Sequence, residues 1–427
     1  MFFLLSSVKS VVSVASVSPS SLRQATRADG GKQMIPRAED QLRAVVRLLF
    51  TALVAASFAW PRLGPAQRVA ATGVADAVDS AFVARVARLS EPAGYFDSDN
   101  LISNESSYLH PVGALRLLKV RGGAYIGVGP DQNFSYIAAV RPRIAYLIDI
   151  RRDNLLQHLM FRALFERARN RLEYLCFWLG YPLPKDSERW TGRRIEDIIA
   201  LLDATKPNAE AALQDRNAML ARVQSYGVPL DARDRATLER FHTAFQDERL
   251  DLRFTSLGRP PRAGYPNLRE LILERDLTGK RVSYLASEDD WRFLKDLQTR
   301  GLVVPVVGDL AGKHALAAIG RDAAALGLSV SALYVSNVEQ YLWRDGTFAQ
   351  FAETTAGLPR NARSVLIRSY FGRNFGTPHP QARDNGASLS TQLMQSLNDF
   401  AGRQAAGGWA SYWDLVTLGS IDLVKGR

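Results

Sequence analysis

One cysteine, Cys176, in 427 residues leaves no internal disulfide framework and no Cys-rich metal site. The five histidines, His110, His158, His242, His314 and His379, show neither His-Glu-x-x-His nor any other ligand spacing, so no metal centre is expected. No uncharged apolar run reaches the length of a spanning helix, which excludes a polytopic membrane protein. Basic runs with interleaved aromatics are missing as well. The nearest, Arg141 to Arg152, is interrupted by an apolar strand pattern, so nucleic acid is not an expected partner. No fixed-period repeat supports a solenoid. What is present is an ordinary globular composition, 47% hydrophobic and 23% charged, which excludes disorder for most of the chain.

The longest uncharged stretch, Leu48 to Trp60 (LLFTALVAASFAW), follows Arg37, Arg43 and Arg47 and precedes Pro61 and Arg62. A bilayer span needs about 20 residues, so this stretch has the length and flanks of a secretory signal instead. Ser57-Phe58-Ala59 and Gly64-Pro65-Ala66 offer small-x-small exits, and Met34 stands where such a signal would start. Residues 1–66 are therefore read as a signal peptide or anchor outside the fold, with 1–33 as an over-called start and a buried amphipathic helix as the alternative. An exported protein, periplasmic or secreted, follows if the signal acts, and a cytoplasmic one otherwise. Membrane anchoring is expected through this segment only. The formal charge of +11 shrinks with it, because 1–66 hold an excess of Lys and Arg over Asp and Glu.

The body opens on a helix-spaced segment, Val74 to Leu89, within an N-terminal helical part (67–94). A polar loop follows over Ser90 to Ser107. Two short β-branched runs, Ala124 to Gly129 (AYIGVG) and Ile144 to Ile150 (IAYLIDI), read as buried parallel strands, with a short helix over Gln132 to Val140 between them. Helical periodicity then dominates from 153 onward, in Asn154 to Leu179, Arg193 to Leu202, Ala209 to Val223 and Arg235 to Phe245. Strand runs return at Leu302 to Val307, Val330 to Val335 and Ser364 to Arg368, with helices over Glu288 to Thr299 and Lys313 to Leu326. This alternation predicts an α/β fold with a doubly wound, mostly parallel, Rossmann-like sheet. It is built from 95–152 and 280–427, with a helical insertion over 153–279.

In an open parallel sheet, ligands bind beyond the carboxyl ends of the strands. Four such ends carry chemistry: Gly127-Val128-Gly129-Pro130-Asp131, where glycines allow a tight turn; Asp149; Asp309 after LVVPVV; and Ser336-Asn337-Val338-Glu339-Gln340-Tyr341. Asp149 lies near the offset from Gly127 at which an acid grips ribose hydroxyls. Helix capping, or pairing with Arg151, Arg152 or Lys313, is the structural alternative for Asp149 and Asp309.

In this order of parts the chain resembles the class I S-adenosylmethionine-dependent methyltransferases, and a bacterial family without an assigned activity built on that core. The likeness rests on Gly123 to Asn154, Ser287 to Asp309 and Ser336 to Tyr341, roughly half of the chain. It implies a methyltransferase-type sheet and S-adenosylmethionine, or a related small nucleoside, as ligand. Gly127, Gly129 and Asp131 would line the amino-acid part of that cofactor, Asp149 the ribose and Asp309 the adenine amine, while Asn337 and Tyr341 would face the transferred methyl. The loop departs from acid-x-Gly-x-Gly-x-Gly: Tyr125 holds the acid's place and Asp131 the third glycine's. A non-catalytic exported binding protein that keeps the sheet is the competing reading.

Other residues read as structural. Glu339 is expected as a solvated loop acid, and Glu288, Asp289 and Asp290 as a helix start after Ser287. Cys176 is expected to be a buried thiol, His314 to lie on a surface helix, and Ser388 to cap a helix. Arg368 to Asn374 is a candidate substrate wall.

Overall fold

Strand runs that are apolar at nearly every position, without alternation, demand burial on both faces, and a parallel sheet between helical layers supplies it. In the computed structural model, which describes residues 78–257, 264–372, 376–383 and 388–426, six strands form one sheet. They are β1 (Ala124–Val128), β2 (Ile144–Asp149), β3 (Val303–Val307), β4 (Val330–Tyr334), β5 (Val365–Tyr370) and β6 (Thr391–Ser396). The order is β3-β2-β1-β4-β5-β6; the first five run parallel and β6 pairs antiparallel with β5. All residues of β1 to β5 are buried. The expectations for 1–66 fall outside the described residues. Among the described residues, no helix is long and apolar enough to cross a membrane.

β6 departs from the expected picture. Ser388 lies in a bend rather than at a helix start, and the chain enters a strand at Thr391. The register Val365↔Ser396 to Tyr370↔Thr391 explains why: the backbone of β5 supplies a ladder that Thr-Gln-Leu-Met-Gln-Ser does not announce by itself. The helix that follows, Leu397–Ala405, is capped by Ser396, whose side chain accepts from the Asn398 amide.

Between β2 and β3 the chain is helical: Arg152–Arg167, Arg171–Leu179, Ile195–Ala204, Ala209–Ser225, Ala232–Glu248, Leu268–Ile272 and Glu288–Thr299. The single helix expected from Asn154 to Leu179 is broken after Arg167. Asn170 turns extended and its Oδ1 accepts from the Glu173 amide at 3.0 Å, which starts a new helix. Lys295 Nζ meets the carbonyls of Phe165, Glu166 and Ala168 at 2.7–2.9 Å and so satisfies the end of the first one.

The N-terminal helix is described over 78–89, where Phe82, Val86 and Leu89 form its buried stripe. Beyond it, the polar segment 90–107 runs across the carboxyl edge of the sheet. The Glu91 amide donates to Val307 O at 2.9 Å and the Gly94 amide to Ile150 O at 2.8 Å. A Cβ at Gly94 would lie 2.5 Å from Ile150 Cγ1, so glycine is what permits this approach.

Candidate functional site

Strand order reverses between β1 and β4, and the crevice at that switch is where an open α/β sheet takes its ligand. The expected residues lie along that edge: Asp309 past β3, Asp149 at the end of β2, Gly127, Gly129 and Asp131 at the end of β1, and Asn337 and Tyr341 past β4.

At Gly127 the space a side chain would need is already taken. A Cβ there would fall 1.9 Å from Asn133 Oδ1. Asn133, fully buried, donates through Nδ2 to the carbonyls of Val128, Gly129 and Pro130 and accepts from Tyr125 Oη at 2.8 Å. Gly127 therefore serves the packing of the chain's own asparagine, which holds the loop in shape. Gly129, at φ +88, adopts a conformation that strains other residues, and its carbonyl accepts from His158 Nε2 at 2.9 Å. Asp131 precedes the helix Gln132–Val140 but makes no side-chain cap; it is buried and takes a 3.3 Å hydrogen bond from Tyr284 Oη. Burial pushes its carboxyl up to about 7, against the smaller opposing effect of that hydrogen bond.

The helix that meets this loop through His158 carries a polar stripe that the sequence reading passed over. Asn154, Gln157 and His158 stand at i, i+3 and i+4 on the helix Arg152–Arg167 and are almost fully buried. Because a carbonyl only accepts, the bond to Gly129 places the His158 proton on Nε2 and leaves Nδ1 as a bare acceptor with no partner. Burial lowers the His158 pKa to about 4, so the ring is neutral at neutral pH. Both amide atoms of Asn154, Oε1 of Gln157 and Oε1 of Gln132 are likewise buried and unpartnered. Buried polar atoms without partners are costly, which makes this cluster the candidate for a polar ligand.

Asp149 is 7% exposed and already engaged. Arg151 meets it with Nε at 3.1 Å and Nη2 at 3.0 Å, while Arg151 Nη1 donates to the carbonyls of Ser98 and Asp99 in the covering segment. Asp309 is half-buried; its amide donates to Glu91 Oε1 at 2.7 Å and its Oδ1 accepts from the Ala311 amide. Asn337 precedes the helix Val338–Arg344 without capping it, and the Tyr341 ring packs edge-on against Phe96, 5.4 Å between centroids. Glu105, 1% exposed, reaches the switch from the covering segment: its carboxylate accepts from Tyr334 Oη and Gln392 Nε2, at 2.8 and 3.0 Å, and from Ser336 Oγ. Nothing in the polar stretch around Glu105 marked it as a site residue, because its partners lie more than 200 positions away.

Several residues fall elsewhere. Glu339 is not a solvated acid: it is 1% exposed and bound by Arg368 at 2.6 and 3.2 Å, with Arg368 equally buried. Arg368 thus belongs to the core rather than to a substrate wall. Glu288 pairs with Arg171, and Asp289 and Asp290 with Arg141, behind the Ser287 cap. Burial pushes the Cys176 thiol up to about 12, and His314 is exposed on the backbone of Arg88. Among the described residues, no cluster of His, Cys, Asp and Glu is able to hold a metal ion. A separate, mostly apolar cleft of 290 Å³ lies beside Val83, Glu91, Arg152, Leu155, Pro229 and Val307.

The family model described as "Domain of unknown function (DUF7790)" matches residues 101–226 and 229–408, and the chain belongs to that family. The match spans every strand, Glu105, and all seven residues expected at the edge of the sheet. No curated protein matches the chain.

Proposed function

We propose that this member of the family is a methyltransferase-like protein that binds S-adenosylmethionine or a related nucleoside at the carboxyl edge of β1 and β2. One observation carries the reading: buried, unpartnered polar atoms on Gln132 and His158 beside Gly129, and on Asn154 and Gln157 along the same helix as His158. They are neutral donors and acceptors, which suit the hydroxyls and ring nitrogens of a nucleoside better than a phosphate. Support also comes from the strand order with its antiparallel outer strand. In this reading Gly129 and Asp131 adjoin the amino-acid end, Asp149 and Asn154 the ribose, and Asp309 the base, with Asn337 and Tyr341 on the acceptor side. When bound, S-adenosylmethionine supplies an electrophilic methyl group. The chain's part is to orient it and exclude water, since methyl transfer needs alignment more than proton transfer.

A second reading, binding without turnover, is favoured by one set of contacts. The Arg151 clamp occupies Asp149, and the segment 90–107 lies over the strand ends where an acceptor would enter. Calorimetric titration of the full chain with S-adenosylmethionine and S-adenosylhomocysteine tests the shared claim. Micromolar binding that is lost in Asn154→Leu is the expected result, and no heat with either ligand would refute it.

A further inference from the structure

We propose that the ligand taken at this edge carries a positive charge, received by Glu105 and Asp131 with Gln132 between them; the proposal rests on the binding site described above. The argument starts from how the chain treats its other buried acids. Among the described residues these meet an arginine, as do Asp149, Asp234, Asp322 and Glu339, or, for Asp276, the amides and hydroxyl of its own turn. Glu105 and Asp131 are the exceptions.

The three groups on Glu105 are two hydroxyls and an amide, and Asp131 is met by the Tyr284 hydroxyl. A buried carboxylate facing only neutral donors is expensive, and a cation placed beside it returns Coulomb energy at low dielectric. The two acids are joined through one short chain of contacts. Tyr334 Oη donates to Glu105 and accepts from Gln132 Nε2 at 3.4 Å, and Gln132 follows Asp131 directly. Gln132 is 6% exposed and its Oε1 has no partner, so a free acceptor belongs to the side chain that links Asp131 to the Tyr334–Glu105 pair, and it suits an N–H of an ammonium group. Glu105 is contributed by the segment that covers the sheet edge, which makes that segment part of the recognition surface.

The test compares S-adenosylmethionine with adenosine, which shares the nucleoside and lacks the charge, by calorimetry on the full chain and on Glu105→Gln and Asp131→Asn. The wild type is expected to bind the charged ligand at least about tenfold more tightly. Each variant should lose about tenfold or more for it while keeping its affinity for adenosine, as one charge-assisted contact predicts. Equal affinity of the wild type for the two ligands overturns the proposal without any variant having to fold. Equal losses for both ligands in a folded variant do the same. If neither nucleoside binds, the nucleoside reading fails and the charge proposal is decided by thermal shift with putrescine against 1,4-butanediol. Stabilisation by the diamine alone supports it, and no difference between the two refutes it.

Discussion

Replacing Asp131 by asparagine should make the protein more stable, by an amount that grows from about pH 4 to about pH 7 and is constant above. Asp131 is buried, its carboxyl meets a tyrosine hydroxyl, and burial lifts its pKa from the ordinary 3.8 to about 7. In the folded chain it therefore keeps a proton that the unfolded chain gives up above pH 4. By linkage, a native state that binds more protons loses stability as pH rises, here from about 4 to about 7, and is flat beyond. The difference between 3.8 and about 7 corresponds to about 4 kcal/mol at 1.36 kcal/mol for each pH unit, an upper figure if water reaches the group. Asparagine keeps the acceptor for Tyr284 and carries no charge, so it mimics the protonated acid. Burial has the opposite effect on His158 and His242, whose pKa values fall to about 4. Their contribution is lost as pH falls from 6.5 toward 4, but it cancels when variant and wild type are compared at the same pH. Urea denaturation at pH 4.5 and pH 8 is the assay. An advantage for the variant of about 1 kcal/mol at pH 4.5 that grows to about 4 kcal/mol at pH 8 is expected. A variant equally destabilised at both values would show that the acid is ionised and satisfied in the folded chain.

Two other perturbations probe the frame of the site. Gly127→Ala places a Cβ within 1.9 Å of Asn133 Oδ1 and should cost roughly 1–3 kcal/mol, with a smaller added loss when Asn133→Ala is already present; thermal melts of the four proteins measure the coupling. Arg368→Met leaves Glu339 buried without its cation and should destabilise by about 3–5 kcal/mol, whereas the double change with Glu339→Leu should recover most of that in urea melts.

The five parallel strands were legible because burial on both faces leaves them mostly apolar and without alternation, between glycine, proline and asparagine breaks. β6 was not, since Gln392 and Gln395 give it a mixed pattern and its pairing with β5 decides its conformation. The break at Asn170 carried a local signal, a cap residue followed by Glu173, that the apolar periodicity on either side concealed.

At the candidate site, Gly129, Asp131, Asp149 and Asp309 were singled out from their position after strands, and the fold does put them at the carboxyl ends of β1, β2 and β3. Their partners were not singled out, because Arg151 reaches back to Ser98 and Asp99, and Glu91 and Glu105 arrive from a loop far off in sequence. Asn154, Gln157 and His158 did carry a signal: three polar residues at i, i+3 and i+4 on one face of a helix whose neighbouring buried positions are Leu155, Leu156 and Leu159.

A crystal structure of the full chain grown with S-adenosylhomocysteine tests the central claim most directly. The account predicts nucleoside density beside Gly129, within hydrogen-bond reach of Asn154, Gln157 and His158 Nδ1. Ordered water satisfying those atoms, with no ligand at the carboxyl edge of β1 and β2 under saturating conditions, would contradict it.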